Sequence, residues 1–188
     1  MEPLRPAERI AVARLHALLE LLPTALDREL AATGLTAFEH SLLEALDEAD
    51  GGRLRLSALA ARTNATLPRL SRVVTALERK GLVERAPCAE DGRATNAVLT
   101  AEGVRAYAAA RPVYERAVRT KILDGLDAAG VDDLAELAFA ILGRLDPERR
   151  LAITTEGAAC PADPRLPADD DADACPADPR TAASTTTR

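Results

Sequence analysis

One predicted helix carries side chains that could read the edges of nucleic-acid bases. Its polar residues recur every three positions, which places them on one helical face: Thr66, Arg69, Arg72 and Thr75. Arginine can form a pair of hydrogen bonds to guanine, and the threonine hydroxyl can donate to or accept from a base edge. Ser71, beside them, could reach a phosphate. This pattern favours a helix that enters the major groove of DNA, although an arginine-rich face can also be a merely solvated one.

Two histidine pairs could offer metal ligands. His16 and Glu20, and likewise His40 and Glu44, are four residues apart, so each pair shares a helical turn. Neither pair has a cysteine or a third ligand nearby in the sequence, and a solvated pair is the simpler interpretation. We therefore predict no metal and no cofactor, with metal sensing as an alternative.

The remaining reactive groups give little support for an enzyme. The chain lacks a glycine-rich phosphate loop and a Gly-x-Ser-x-Gly elbow, and its only two histidines lie outside any catalytic pattern. Its three cysteines, Cys88, Cys160 and Cys175, have no Cys-x-x-Cys spacing. Cys88, close to Arg85, leaves a redox-responsive role open. We predict a protein without catalytic activity.

Six helices are predicted to position these groups. Apolar residues at three- and four-residue spacing indicate a first helix over 6–32, interrupted by Pro23, and a sixth over 132–145. Capping residues at the helix starts indicate the four helices between them: Thr36, Ser57, Thr66 and Thr100. Only four of the 188 residues are aromatic, so we expect a core of leucine, valine, isoleucine and alanine, and a ligand cavity with aliphatic walls in place of an aromatic cage.

A hairpin and a tail complete the organisation. After Gly81 the pattern becomes strand-like, passes through a polar tip over 88–93, and returns at 97–99. The last 35 residues, 154–188, repeat Cys-Pro-Ala-Asp-Pro-Arg and contain almost no large apolar residue. Such a composition cannot bury enough surface to fold, so we predict a disordered, acidic, proline-rich tail.

Charge is distributed unevenly along the chain. The whole sequence carries a net charge of -6. The stretch 53–93 nevertheless has nine basic and four acidic residues, whereas the tail has three basic and seven acidic ones. A single basic block in an acidic protein is typical of a selective DNA-binding protein. No apolar run is long enough to cross a membrane and the first residues do not form a signal peptide, so we expect a cytoplasmic protein.

The order of these motifs resembles one family. A run from Ser71 to Arg85, SRVVTALERKGLVER, is followed by Asp91-Gly92-Arg93 and then by Val98-Leu99-Thr100-x-x-Gly103. This arrangement is similar to that of the MarR family of bacterial transcriptional regulators, from Gly34 to about Leu145. The resemblance implies a mainly α fold with a small β-hairpin wing, namely a dimeric winged helix-turn-helix of six helices.

The resemblance also implies a separate role for each part of the chain. Residues 1–33 would form an N-terminal dimerisation helix, 34–100 the DNA-binding domain, and 101–153 the C-terminal dimerisation helices. In the wing, Arg93 would reach the minor groove and Asp91 would orient the hairpin. A small-molecule effector would bind between the dimerisation and DNA-binding parts, near His16 and His40.

These features predict a sequence-specific regulator, most simply a repressor that an effector releases. A homodimer would bind a pseudo-palindromic double-stranded operator, with half-site centres about 10 base pairs apart. The alternatives are a winged-helix module for protein contacts, and a redox- or metal-responsive regulator of the same fold. The basic face of the fourth helix argues against the first alternative.

Overall fold

The computed structural model describes residues 2–88 and 94–145. Six α-helices lie in this part of the chain, as predicted. Their bounds are α1 Pro6–Leu30, α2 Ala37–Asp47, α3 Leu56–Arg62, α4 Leu67–Arg79, α5 Ala101–Val118 and α6 Ala128–Leu145. A 3₁₀ turn, Ala31–Thr33, follows α1, and a π-helical turn, Arg119–Leu123, follows α5. The tail over 154–188 and its two cysteines lie outside the described residues.

The sheet has three strands where the sequence indicated a two-stranded hairpin. Strands β2, Val83–Pro87, and β3, Thr95–Leu99, form the antiparallel hairpin, and β1, Arg53–Arg55, pairs with the other edge of β3. Strand β1 is only three residues long and follows two glycines, so it shows no alternation that a sequence pattern could detect. Its central Leu54 is buried opposite Ala97. The extra strand anchors the wing to the helical core.

Helix capping agrees with the sequence in two of four places. Thr36 and Thr100 each accept a hydrogen bond from the backbone N–H three residues on, as predicted. Thr66 lies at the N-cap of α4 but makes no side-chain cap bond. The prediction of a Ser57 cap was wrong: α3 begins at Leu56, and Arg55 is the N-cap residue. Because β1 leads directly into α3, no turn separates the strand from the helix.

The core lies in the winged-helix part of the chain. Leucines from four helices and residues from all three strands form one buried cluster: Leu30, Leu42, Leu43, Leu46, Leu54, Leu59, Leu70, Val74, Leu77, Val83 and Ala97 among others. On α4 the buried stripe is Leu70, Val74 and Leu77, whereas Val73, predicted inward, is only half-buried. Val104 on α5, also predicted inward, is 45% exposed.

Helices α1 and α6 remain largely uncovered in the single chain. Only Leu26 and Leu30 are buried on α1, and none of the residues of α6 is buried. Many of their large apolar residues are exposed: Ile10, Leu15, Leu18, Leu19, Leu21, Leu134, Leu137, Phe139, Ile141 and Leu145. No helix within the described ranges is both long and apolar enough to span a membrane. Exposed apolar surfaces of this kind are typical of contacts with other molecules.

Gly103 lets the start of α5 approach the end of the wing. A Cβ atom at this position would lie 2.1 Å from the carbonyl oxygen of Leu82 and 2.7 Å from Leu99 Cδ1. We therefore expect Gly103→Ala to destabilise the fold by about 1–3 kcal/mol, the usual cost of overpacking. Chemical unfolding can measure this loss, with Gly125→Ala as the control because a Cβ there meets no atom within 4 Å. Equal stability of the two variants would contradict the close approach.

Candidate nucleic-acid interface

A tight turn sets the angle between α3 and α4. Asn64 adopts a left-handed conformation with φ of 50°, which asparagine tolerates better than most residues. The N–H of Ala65 then donates to the carbonyl of Ala60 at 2.9 Å and closes the turn. Two helices joined in this way form a helix-turn-helix, with α4 as its second and exposed member.

The far end of α4 is tied to α2. Lys80 Nζ donates to Glu39 Oε1 at 2.7 Å and to the carbonyl of Gly34 at 2.9 Å. Glu39 is buried and also accepts from the backbone N–H of Thr36 through Oε2, which completes the capping box of α2. Because both ends of α4 are fixed, its exposed face has a defined orientation.

Arg72 lies near the centre of the exposed face of α4. Its helical position is almost opposite the buried stripe of Leu70, Val74 and Leu77. The side chain is exposed, and its Nε donates to the carbonyl of Pro68 at 3.3 Å. A guanidinium exposed at this position can make a paired contact to a guanine in the major groove.

Arg69 lies one turn before Arg72 on the exposed side of α4 and contacts α2. Its guanidinium carbon is 4.2 Å from the centre of the Phe38 ring, in a cation–π contact with α2. The contact holds Arg69 close to the protein surface while its polar edge stays exposed. Thr66 precedes the helix and is also exposed, at the end of α4 where backbone N–H groups favour phosphate.

Ser71 and Thr75 lie at one border of the face, where Arg85 from β2 contacts both. Arg85 donates to Thr75 Oγ1 and to the carbonyl and hydroxyl oxygens of Ser71, and it pairs with Glu78 at 2.5 Å. The sequence indicated Arg85 only as a basic residue close to Cys88, without a connection to α4. The alternation of β2 could have shown that its side chain points to one sheet face, but not that this face meets α4.

The two predicted wing residues, Asp91 and Arg93, lie outside the described residues. The strands that lead to them are described, and the N–H of Cys88 donates to the carbonyl of Ala94 at 3.0 Å. Cys88 itself is 3% exposed and lies 3.6 Å from Arg55 Nη2. The pairing of β2 with β3 therefore continues up to Cys88 and Ala94.

A second site lies between α2 and α5. Its cavity has a volume of about 220 Å³ and is lined by His40, Glu44, Arg111, Tyr114, Glu115, Val118, Arg119 and Leu123. Most of these lining residues are polar, which differs from the aliphatic walls expected of a ligand cavity, and His40 stacks on Tyr114 with ring centres 4.2 Å apart. Arg111 Nε donates to Glu115 Oε1 at 2.7 Å, and Tyr107 donates to Glu44. The cavity can thus offer both charge and an aromatic face.

The two predicted effector residues have different environments. His16 is exposed on α1, whereas His40 is completely buried and neither of its ring nitrogens has a hydrogen-bond partner within the described ranges. Burial, with a smaller contribution from Arg111, lowers the pKa of His40 to about 4. Burial and the neighbouring Glu48 raise the pKa of Glu44. Residues 2–88 and 94–145 contain no group of three potential metal ligands.

The low pKa of His40 predicts an acid-dependent loss of stability. The unfolded histidine binds a proton near pH 6.5 and the folded one only near pH 4, so the unfolded state takes up more protons between these values. We expect the free energy of unfolding to fall by about 2 kcal/mol from this group between pH 7 and pH 5. Denaturant titrations at fixed protein concentration can measure the loss.

His40→Phe provides the control for this experiment, because phenylalanine keeps an aromatic ring on Tyr114 without a titrating nitrogen. The difference in pH dependence between the two proteins isolates His40 from the opposite contribution of Glu44. If the variant loses as much stability on acidification as the wild type, then His40 is not the titrating group.

Comparisons with known proteins agree on one family. The family model described as MarR family matches residues 33–94. The crystal structure of AbsC from Streptomyces coelicolor has 30% identity and a TM-score of 0.74, and covers 78% of this chain and 99% of its own. Sco3205 from the same organism, solved in complex with DNA, has 31% identity and a TM-score of 0.75, and covers 78% and 92%.

A more distant structure shares the fold. CouR from Rhodococcus jostii, bound to p-coumaroyl-CoA, has 22% identity and a TM-score of 0.58, and covers 68% of this chain and 87% of its own. A comparison with curated protein sequences found no match. Both Streptomyces proteins are MarR family transcriptional regulators, and almost the whole of each aligns with this chain at about 30% identity. The chain therefore belongs to the MarR family of transcriptional regulators.

Proposed function

We propose that this regulator binds a pseudo-palindromic DNA operator as a homodimer, through α4 in the major groove. The exposed guanidinium of Arg72, at the centre of the outward face of α4, carries the proposal. Arg69 and Thr66 border this face and contribute base or phosphate contacts. The proposal also assigns Arg93 to the minor groove and Asp91 to the orientation of the wing, as the family resemblance implies.

The exposed apolar surfaces of α1 and α6 support the homodimer. Residues 1–33 and 101–153 supply the dimer contacts, and residues 34–100 supply the reading head. Two-fold symmetry fits an inverted repeat, because each copy then places its own α4 in one half-site. The DNA-bound state of the relative Sco3205 is a precedent for the DNA contact.

The cavity beside His40 supports regulation by a small molecule. It lies between α2, which packs in the reading head, and α5, which also contacts α1. An effector bound there would change how these parts pack and so the separation of the two copies of α4. The ligand of CouR is a precedent for small-molecule binding on this fold. We propose that the protein acts in the bacterial cytoplasm as a repressor that such an effector releases.

Selection from a random duplex library tests the DNA-binding function. Wild-type protein should enrich an inverted repeat whose half-site centres are about 10 base pairs apart. Sedimentation of the complex should give two protein chains per duplex. The competing function, a winged-helix module for protein contacts, predicts no enriched sequence and equal affinity for all duplexes. Enrichment of a single half-site without symmetry would contradict the dimeric arrangement.

A second experiment tests the effector. Candidate small molecules are screened for lowering affinity for the enriched DNA, and the affinity of each active compound is then measured with and without that DNA. Coupling between two sites is reciprocal, so DNA must lower the affinity of the compound by the same factor. An active compound whose affinity is unchanged by DNA would contradict release by this route.

A further inference from the structure

Arg85 joins the wing to one edge of α4. We infer that Arg85 is a positioning residue that fixes the rotation of α4 relative to the wing, and so sets the sequence specificity of DNA binding. The inference rests on the proposed DNA-binding function. It also gives Thr75 a different role, since Thr75 would act through Arg85 instead of touching DNA.

The contacts of Arg85 span nearly two turns of α4. Nη1 donates to Thr75 Oγ1 at 3.1 Å and to Glu78 Oε2 at 2.5 Å. Nη2 donates to the carbonyl of Ser71 at 2.9 Å, to Ser71 Oγ at 3.3 Å and to Thr75 Oγ1 at 3.1 Å. Positions 71, 75 and 78 follow one line along a helix. A single planar group thus fixes α4 at three successive positions.

This arrangement uses the hydroxyl groups that the sequence assigned to DNA. Thr75 Oγ1 accepts from both Nη atoms of Arg85 and donates its own proton to the carbonyl of Ser71 at 2.9 Å. Ser71 Oγ also accepts from Arg85. Thr75 Oγ1 thus uses its proton and both lone pairs within the protein, so a contact with DNA would break one of these bonds and the geometry favours a supporting role for Thr75. Ser71 Oγ keeps its proton for another partner.

The charge of Arg85 is balanced within the protein. Arg85 and Glu78 form an ion pair in which both side chains are 28% exposed. A neutralised arginine that is largely covered contributes little to phosphate attraction, so its replacement should leave the salt dependence of DNA binding unchanged. Lysine keeps the charge but lacks the planar fork, and it cannot reach Ser71, Thr75 and Glu78 together.

Arg85→Lys tests the inference on DNA that the wild-type protein has selected and on scrambled duplexes. We expect affinity for the selected DNA to fall about tenfold and affinity for scrambled DNA to stay within about twofold. Only the orientation of α4 relative to the wing changes. The number of ions released should match the wild type. Arg105→Lys is the matched control, because Arg105 is exposed on α5 and pairs only with Glu102 among the described residues.

Thr75→Val distinguishes support from contact. Alone, it should weaken binding to the selected DNA; combined with Arg85→Lys, it should add almost nothing, because both changes remove the same connection. If the two losses add, Thr75 touches DNA directly and the inference is wrong. Thr75→Val also keeps the experiment informative if Arg85→Lys folds poorly, since valine is nearly the same size as threonine.

Other results would also overturn the inference. Equal losses on selected and scrambled DNA, after correction for the folded fraction, would mean that Arg85 only stabilises the fold. If Arg85→Lys releases about one ion fewer than the wild type on binding DNA, then Arg85 contacts a phosphate. Failure of the wild-type protein to select any DNA would contradict the proposed function itself, and this inference with it; that outcome is recognised before any variant is measured.

Discussion

Replacement of Arg72 by alanine is expected to lower affinity for the selected DNA by about 5- to 150-fold, or about 1–3 kcal/mol. The side chain is exposed at the centre of the outward face of α4, where it can pair with a guanine. Binding titrations on the selected duplex and on duplexes with single substitutions can measure the loss. Base preference should relax at one position in each half-site.

Arg105→Ala is the control for this experiment, because it removes an exposed arginine from α5 and leaves the exposed face of α4 intact. It should change affinity for all duplexes slightly and equally. Arg72→Ala should lower affinity for scrambled DNA far less than affinity for the selected DNA. If the two DNAs lose affinity in the same proportion, then Arg72 contacts phosphate and α4 reads DNA with another side chain.

Introduction of a charge on α6 is expected to have the larger effect of the two. Leu137 is 65% exposed in the single chain, within the apolar surface that the proposed dimer covers. Leu137→Glu would bury one carboxylate from each copy in that interface, which is strongly unfavourable. We expect dissociation into monomers and a loss of about 10²- to 10⁴-fold in operator affinity, because each half-site must then be bound separately.

Sedimentation and binding titrations on the same samples can test this expectation. Leu137→Met keeps an apolar side chain of similar volume and should leave both the dimer and DNA affinity nearly unchanged. Circular dichroism should show that Leu137→Glu keeps its helices, since no residue of α6 is buried in the single chain. A dimeric Leu137→Glu protein with wild-type affinity would exclude this part of α6 from the interface.

The sequence predicts the helices better than it predicts the contacts between them. Six amphipathic segments and the caps at Thr36 and Thr100 depend on local chemistry, which periodicity and residue type reveal. Strand β1 exists only because β3 offers it a partner, so a three-residue segment carries no signal of its own. The same limit explains the wrong prediction of a cap at Ser57. Because β1 runs directly into α3 at Leu56, Ser57 already lies within the helix.

The candidate site divides in a similar way. Helical spacing correctly indicated that Arg72 faces outward, since exposure follows from the buried stripe of α4. It did not indicate that Phe38 lies beneath Arg69, or that Arg85 occupies the hydroxyls of Ser71 and Thr75. These contacts join residues up to 31 positions apart and depend on how α2, α4 and β2 pack. Spacing along one helix therefore shows which side chains share a face, but not which of them already have partners within the protein.

The π-helical turn after α5 limits which insertions and deletions this chain can accept. In that turn the N–H of Asp124 donates to the carbonyl of Arg119 at 2.8 Å, so the helix carries one residue more than an α-helical path needs. Loss of one residue from 119–123 would leave a regular α-helical turn on the same path, whereas loss of a second residue would rotate everything that follows by about 100°. The apolar side of α6 would then point in another direction. Relatives of this protein should therefore have either this turn or one that is shorter by a single residue, even where its residue types vary.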